Sequence, residues 1–361
     1  EMLAKRIEKE LKKSGFGGVR IDKMGNVLGF VGKGRKKIML DAHMDTVGIA
    51  NEKDWKINPF GGVLKNGNIY GRGATDQKLS MASLIYAGKA IKELNLWNDF
   101  TFIVVGSCQE EDCEGVSLMH IIEREKIKPD YVILTEPTNL SICRGHRGRV
   151  EIKVSVKGKS CHASVPEKGA NAIEKICDIV REVSDLNGKL KKDRFLGKGT
   201  IAVTFLECRT PSFNAICPTA SIYIDRRLSA GETLKVSVDE VKKLPSLKKY
   251  KAKVEVCKYR ALSWKGFEIS QEKYFPAWSI PKNHKLIRAA VKAARFALGK
   301  APSVGRWDFS TNGVFTCGRL KIPTMGFGPS SEVYAHTVDE NMPVNHLLKA
   351  AAFYASIGMF L

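Results

Sequence analysis

A chain of 361 residues exceeds a usual single core, so two domains are expected. Its 43% hydrophobic and 27% charged content is that of a globular protein, and no apolar run reaches the roughly 18 residues of a membrane span. The formal net charge of +21 admits nucleic-acid binding, a Lys-rich solvated surface of thermophile type, or attraction of an anionic substrate. Between Arg147 and Ser263 stand 25 Lys/Arg against 13 Asp/Glu, or +12. No recognised nucleic-acid motif accompanies them, which favours the solvated surface.

In chain order, residues 2–13 carry Leu3, Ile7 and Leu11 at helical spacing. The start therefore reads as a helix with a few residues missing before it, and not as a signal segment. Val19–Ile21 and Val27–Val31 read as strands around Gly25-Asn26. The apolar run Lys37–Leu40 then breaks into Asp41-Ala42-His43-Met44-Asp45-Thr46. Alternation along a strand points His43 and Asp45 the same way. A carboxylate there can take one ring N–H and leave the other nitrogen for a metal. Residues 51–73 are rich in Asn and Gly and read as loop. Gly71-Arg72-Gly73-Ala74-Thr75-Asp76 leads into a helix, Leu79 to Leu94.

Phe100–Gly106 is an apolar strand running into Cys108-Gln109-Glu110-Glu111-Asp112. A helix near Val116–Glu125 precedes the strand Tyr131–Leu134, which ends in Thr135-Glu136-Pro137-Thr138. Strands alternating with helices predict a mostly parallel α/β sheet with helices on both faces. Such sheets place sites beyond the carboxyl ends of their strands. From about Gly145 the texture changes to an α+β insert: Arg149–Val156 alternates, Ala170–Val183 and Val236–Leu244 read as helices, and Ile201–Glu207, Ser221–Asp225 and Ala252–Val256 as strands. The α/β pattern resumes near Trp264, with a helix His284–Leu298, a strand Ile322–Phe327, the loop Gly328–His336 and a terminal helix 344–358. The expected domains are thus 1–146 with 264–361, and 147–263 inserted.

Nine scattered cysteines without zinc-finger spacing fit reduced thiols in the cytoplasm; Cys108 and Cys113 read as packing residues. His120, His284 and His346 lie in helical patterns and read as structural. His43, Asp45, Asp76, Glu110, Glu111, Glu136 and His336 all fall at strand ends or loops. Imidazoles and carboxylates without thiolate suit two catalytic divalent ions, zinc, cobalt or manganese. A carboxylate not used as ligand can shuttle a proton. Taken singly, each has a plainer reading: a solvated Glu pair, an N-cap Asp, a loop His.

Five anchors occur in order: His43-Met44-Asp45-Thr46-Val47, Gly71–Asp76, Gln109-Glu110-Glu111-Asp112, Thr135-Glu136-Pro137-Thr138 and Ala335-His336-Thr337. Together they resemble the metal-dependent aminoacylase/carboxypeptidase family of acetylornithine deacetylase, succinyl-diaminopimelate desuccinylase and glutamate carboxypeptidase. Arg147-Gly148-Arg149, Ser160–Ser164, Asp225–Leu228, Tyr274–Trp278 and Phe309–Gly313 look most like its selenium-metabolism-linked hydrolase branch.

The resemblance implies a hydrolase of an amide bond next to a free carboxylate, in an N-acyl amino acid or short peptide. It implies His43 and Glu136 on one metal, Glu111 and His336 on the other, and Asp76 bridging. Asp45 would orient His43, and Glu110 would be the general base. His162, in an inserted lid and dimerisation domain, would reach a neighbouring subunit's site in a homodimer and stabilise the oxyanion. Asn214 and Arg306 would contact the substrate carboxylate. Gly328-Pro329-Ser330 and Ser212-Phe213-Asn214-Ala215 depart from the branch where specificity is read. The rival readings are a basic nucleic-acid-binding protein and a metal-binding subunit without turnover.

Overall fold

The computed structural model describes residues 1–361. The elements run α1 Met2–Lys13, β1 Gly17–Ile21, β2 Val27–Val31, β3 Lys36–His43, β4 Val63–Lys65, β5 Asn68–Tyr70, α2 Lys78–Glu93, β6 Phe100–Ser107, β7 Tyr131–Leu134 and β8 Ile142–His146. They continue with β9 Gly148–Lys157, α3 Ala172–Lys189, β10 Thr200–Arg209, β11 Thr219–Leu228, α4 Leu234–Lys242, β12 Lys253–Val256 and β13 Tyr274–Phe275. The last are β14 Trp278–Ser279, α5 Lys285–Leu298, β15 Val304–Trp307, β16 Thr324–Gly326, β17 Asn341–Pro343 and α6 Val344–Phe360. Contacts divide the chain into two compact units: Glu1–His146 with Arg260–Ile269 and Trp278–Leu361, and Arg147–Tyr259 with Ser270–Ala277.

The first unit is built on a nine-stranded sheet in the order β1-β2-β6-β3-β7-β16-β8-β14, with β15 beside β8. Its centre is parallel: β3 runs with β6 and β7, and β7 with β16. The central strands are apolar along their length because neither face meets water; Ile38, Met39, Leu40, Phe102, Ile103, Val132 and Ile133 are all buried. Parallel β3, β6 and β7 end together, so the residues after His43, Ser107 and Leu134 emerge at one edge. α1 docks through Ala4, Ile7 and Leu11, one face at helical spacing. α6 packs on α2 and α5. His284 caps α5, its Nδ1 accepting from Leu286 N at 3.1 Å.

Two local expectations are corrected. Residues 51–73 are not all loop: β4 and β5 form a hairpin around Asn66-Gly67, whose φ values of 48° and 74° suit a tight two-residue turn. The strands have three residues each, and β4 is exposed, so no alternation marks them. The helix after Glu111 is one α-turn, Val116–Met119, widening into π geometry over His120–Arg124.

The second unit is a five-stranded antiparallel sheet, β10-β11-β9-β12 with β13 also on β9. β9 alternates buried and half-buried residues over nine positions, as a strand covered on one face must. α3 lays Ala172, Ile176, Ile179 and Val183 on that covered face.

Candidate metal centre

β3 ends by delivering a buried imidazole. His43 Nε2 lies 2.8 Å from Asp76 Oδ1 and 3.8 Å from Glu136 Oε1. Its Nδ1 is 2.9 Å from the main-chain oxygen of Asp45, which fixes Nδ1 as the protonated nitrogen. This corrects the expectation for Asp45: its carboxylate stands 3.9 Å from the ring and instead accepts from Glu111 N at 3.1 Å. Glu111 Oε1 in turn accepts from Val47 N at 3.1 Å. The chain just past His43 therefore steadies Glu111 at both its backbone and its carboxylate.

The other imidazole comes from the loop after β16. His336 Nε2 is 3.2 Å from Asp76 Oδ2 and 3.1 Å from Glu111 Oε2. Asp76 thus turns one oxygen to each histidine. His43, Glu110 and Glu136 form one group with ligand atoms within 4.8 Å of one another, and His43, Asp76 and Glu111 form another. All seven residues expected at the metal site come together.

Five carboxylates here face two imidazoles, and no lysine or arginine side chain shares their hydrogen bonds. Burial pulls His43 down, but Asp76 and Glu136 outweigh it and raise the imidazole well above its usual range. Hydrogen bonds that His336 donates to the Asp76 and Glu111 carboxylates lift it to about 10. Burial and neighbouring carboxylates push Glu110 and Glu136 up, whereas the histidines hold Asp76 down against burial. One oxygen each of Glu110 and Asp45 is buried with no hydrogen-bond partner. Surplus negative charge, orphaned buried oxygens and an oxygen/nitrogen donor set are what divalent cations neutralise, so these residues fit such ions.

Further residues position this cluster, Glu340 among them unnoticed in the sequence. Glu340 is wholly buried; its carboxylate accepts from Arg72 Nη1 at 2.7 Å, Gly73 N at 3.0 Å, Thr75 N at 2.7 Å and Asp76 N at 2.9 Å. A lone Glu in a loop gives no sign of this, because its partners lie far off in the chain. Asn312 donates Nδ2 to Asp41 Oδ2 (2.8 Å) and Ser107 Oγ (3.2 Å) and accepts from Gly115 N (2.6 Å), tying β3 to β6 and to the segment bearing Glu110. Gly328 lies against the β7 end so closely that a Cβ would stand 2.1 Å from Glu136 O and 2.3 Å from Thr135 O. Ser330 holds φ 58°, and its hydroxyl engages Thr75 Oγ1 and Asn341 O. His346, expected to be structural, accepts from Ser330 N at 3.2 Å.

The remaining expected residues lie elsewhere. His162 and Asn214 belong to the second unit, on neighbouring segments joined by the His162–Ala215 bridge. His162 Nδ1 accepts from Ser164 N at 3.1 Å, which places the ring proton on Nε2. Arg306 is on β15 of the first unit, 3.5 Å from Asp308. Cys108 and Cys113 are buried.

The sequence profile described as Peptidase family M20/M25/M40 matches residues 39–359. The uncharacterized protein YgeY of Escherichia coli K12 is 46% identical over 352 residues, 98% of this chain and 87% of that protein. The acetylornithine deacetylase of Proteus mirabilis is 28% identical over 328 residues, 87% of this chain and 77% of that one. The M20 family metallo-carboxypeptidase Sso-CP2 of Sulfolobus solfataricus shares the fold, with a TM-score of 0.77 at 19% identity, over 99% of this chain and 93% of that one. No helix is long and apolar enough to cross a membrane. The chain, a metallohydrolase of amide or peptide bonds, belongs to Peptidase family M20/M25/M40.

Proposed function

We propose that the protein is a dimetal hydrolase of the cytoplasm that releases an amino acid from an N-acyl amino acid or short peptide. The observation that carries this reading is Asp76, whose two oxygens face His43 and His336 at 2.8 and 3.2 Å. One carboxylate between two imidazoles is the arrangement of a shared ligand. His43 and Glu136 would hold one ion and Glu111 and His336 the other, with zinc, cobalt or manganese suited to the donors. When bound, such ions polarise a carbonyl and bring the pKa of water near neutrality.

In this reading Glu110 takes the proton of the attacking water and returns it to the leaving amine. Its buried, unpartnered oxygen supports a role other than structural bonding. Asp45 acts at one remove, aligning His43 through its carbonyl and Glu111 through its carboxylate. The Nε2–H of His162 is suited to donate to the oxyanion, and the Asn214 amide and Arg306 guanidinium to the substrate carboxylate. The second unit would serve as lid and dimerisation domain. Supporting a homodimer, β10 is an edge strand that exposes Phe205 and Leu206, a surface suited to pairing with a second copy.

Glu110→Ala tests the reading. It should keep its metal, measured by elemental analysis, while losing hydrolysis of N-acetyl amino acids and dipeptides alike. Wild-type turnover in that variant removes Glu110 from its role, and a wild-type protein inert on both substrate sets removes the hydrolase. Light scattering separates dimer from monomer.

A further inference from the structure

An open groove of about 770 Å³ lies in the first unit, between residues 122–129 and residues 320–322. The first of these segments leads into β7 and the second into β16. The two strands run parallel, so the groove sits at their amino ends. Glu136 and the loop bearing His336 leave from the carboxyl ends. The groove and the metal centre therefore occupy opposite edges of the sheet. Its volume is that of a small-molecule site, for which about 300–1,000 Å³ is usual.

The groove offers two chemistries. Its apolar surface comes from Ile122, Pro129, Leu320 and Ile322. Its charged surface comes from three cations, Arg124, Lys126 and Lys128, and one anion, Glu123, a net +2. None of the three cations has an ion-pair or hydrogen-bond partner in the chain. The carboxylates next to them in sequence are committed elsewhere: Glu125 lies 3.3 Å from Arg20, and Asp130 Oδ2 accepts from Lys37 N at 2.7 Å. Nor do the cations cap the turn over His120–Arg124. Its first carbonyls are already used, His120 O by Glu125 N at 3.2 Å and Ile121 O by Ile127 N at 3.3 Å. Three unmatched cations around a partly apolar concavity suit an anion that carries an apolar body.

A single carboxylate brings one charge and leaves a cation over. A phosphate monoester brings about −1.5 to −2 at pH 7, which matches the groove. Its oxygens suit both the planar guanidinium fork and the point charges of the lysines. We infer that the groove binds an organic phosphate monoester with an apolar or planar body, of the nucleoside monophosphate class, as a ligand distinct from the substrate. Arg124, Lys126 and Lys128 hold the phosphate, and Ile122, Leu320 and Ile322 take the body. At the far edge of the sheet from the metal centre, this ligand takes no part in bond cleavage, and its site stands or falls separately from the hydrolase.

Calorimetry on the metal-loaded protein tests this with AMP, 1-naphthyl phosphate, adenosine and inorganic phosphate. At least one of the two monoesters should bind about tenfold more tightly than both adenosine and phosphate, each of which lacks half of the ligand. The double variant Arg124→Gln, Lys128→Gln should weaken that binding about tenfold while keeping its metal content. Leu320→Asp, at an exposed position, should weaken it as well with the melting temperature unchanged. No binding of either monoester at about 1 mM, or affinity no better than that of phosphate or adenosine, overturns the groove. Monoester binding that the double variant leaves intact belongs to the metal ions and overturns it too. Tighter binding of an RNA of about 20 nucleotides, steeply salt-dependent and lost in the same variant, overturns the small ligand in favour of a nucleic acid.

Discussion

Glu340 holds Asp76 by the backbone: its Oε1 accepts from Asp76 N at 2.9 Å and from Thr75 N at 2.7 Å, while Oε2 takes Gly73 N and the Arg72 guanidinium. One buried carboxylate thereby sets the turn from which the Asp76 carboxylate projects.

Removing it should cost heavily. Glu340→Ala leaves Arg72 buried without its counter-charge, a change worth about 3–5 kcal/mol, and frees the turn. Urea unfolding should show that loss, and metal content should fall with it. Glu340→Gln retains an acceptor and should lose less. An alanine variant with wild-type stability would show that water replaces the carboxylate.

Asn312 acts on the neighbouring strands. Asn312→Ala strips Asp41 and Gly115 of buried partners, and about 1–3 kcal/mol should disappear. Asn312→Asp should be worse, since it sets a second carboxylate against buried Asp41. If thermal melts rank the two variants the other way, the bridge is not what matters at this position.

Metal removal has a defined sign. Five clustered carboxylates repel one another until cations arrive, so chelation should lower the melting temperature and zinc or cobalt should restore it. At a free metal concentration one hundred times Kd, the gain is about 2.7 kcal/mol. Asp76→Asn should remove most of the metal-dependent part. A melting temperature indifferent to chelator would contradict the site.

Alkaline stability should depend on buried thiols. Burial lifts Cys317 to about 11 and Cys108 to about 12, above the roughly 8.5 of an exposed thiol. Above that pH the unfolded chain sheds protons that the folded chain keeps. The stabilisation is complete below about pH 8.5 and declines as pH climbs toward the folded values, by about 1.4 kcal/mol per pH unit and thiol. Unfolding midpoints at pH 8 and pH 10.5 should therefore differ more for the wild type than for Cys108→Ala or Cys317→Ala. Identical differences would place the thiols in contact with water.

Much of this was legible in the sequence because the parallel strands announce their own ends. His43, Glu110 and Glu136 each follow an apolar run, and in a parallel sheet those runs finish side by side. Asp45 was only half legible: strand alternation gives the facing of its side chain, but which of its oxygens meets the ring depends on the backbone turn after His43. Glu340 was not legible at all, since a single polar residue in a loop declares nothing about a partner hundreds of positions away; Asn312 stood inside the Phe309–Gly313 match, but nothing in the sequence pointed to its tie with Asp41. The β4–β5 hairpin carried an Asn66-Gly67 signal, yet short exposed strands supply no periodicity to confirm it.

Gly328 has a practical corollary for anyone redesigning specificity. With carbonyls of Thr135 and Glu136 within reach of any added carbon, the root of the last loop is fastened to the strand end and tolerates no substitution. Beyond that fastening, Glu332, Val333 and Tyr334 are exposed. Libraries should therefore randomise the outer stretch and spare the root, because new preferences can be selected there while Glu136 keeps its place.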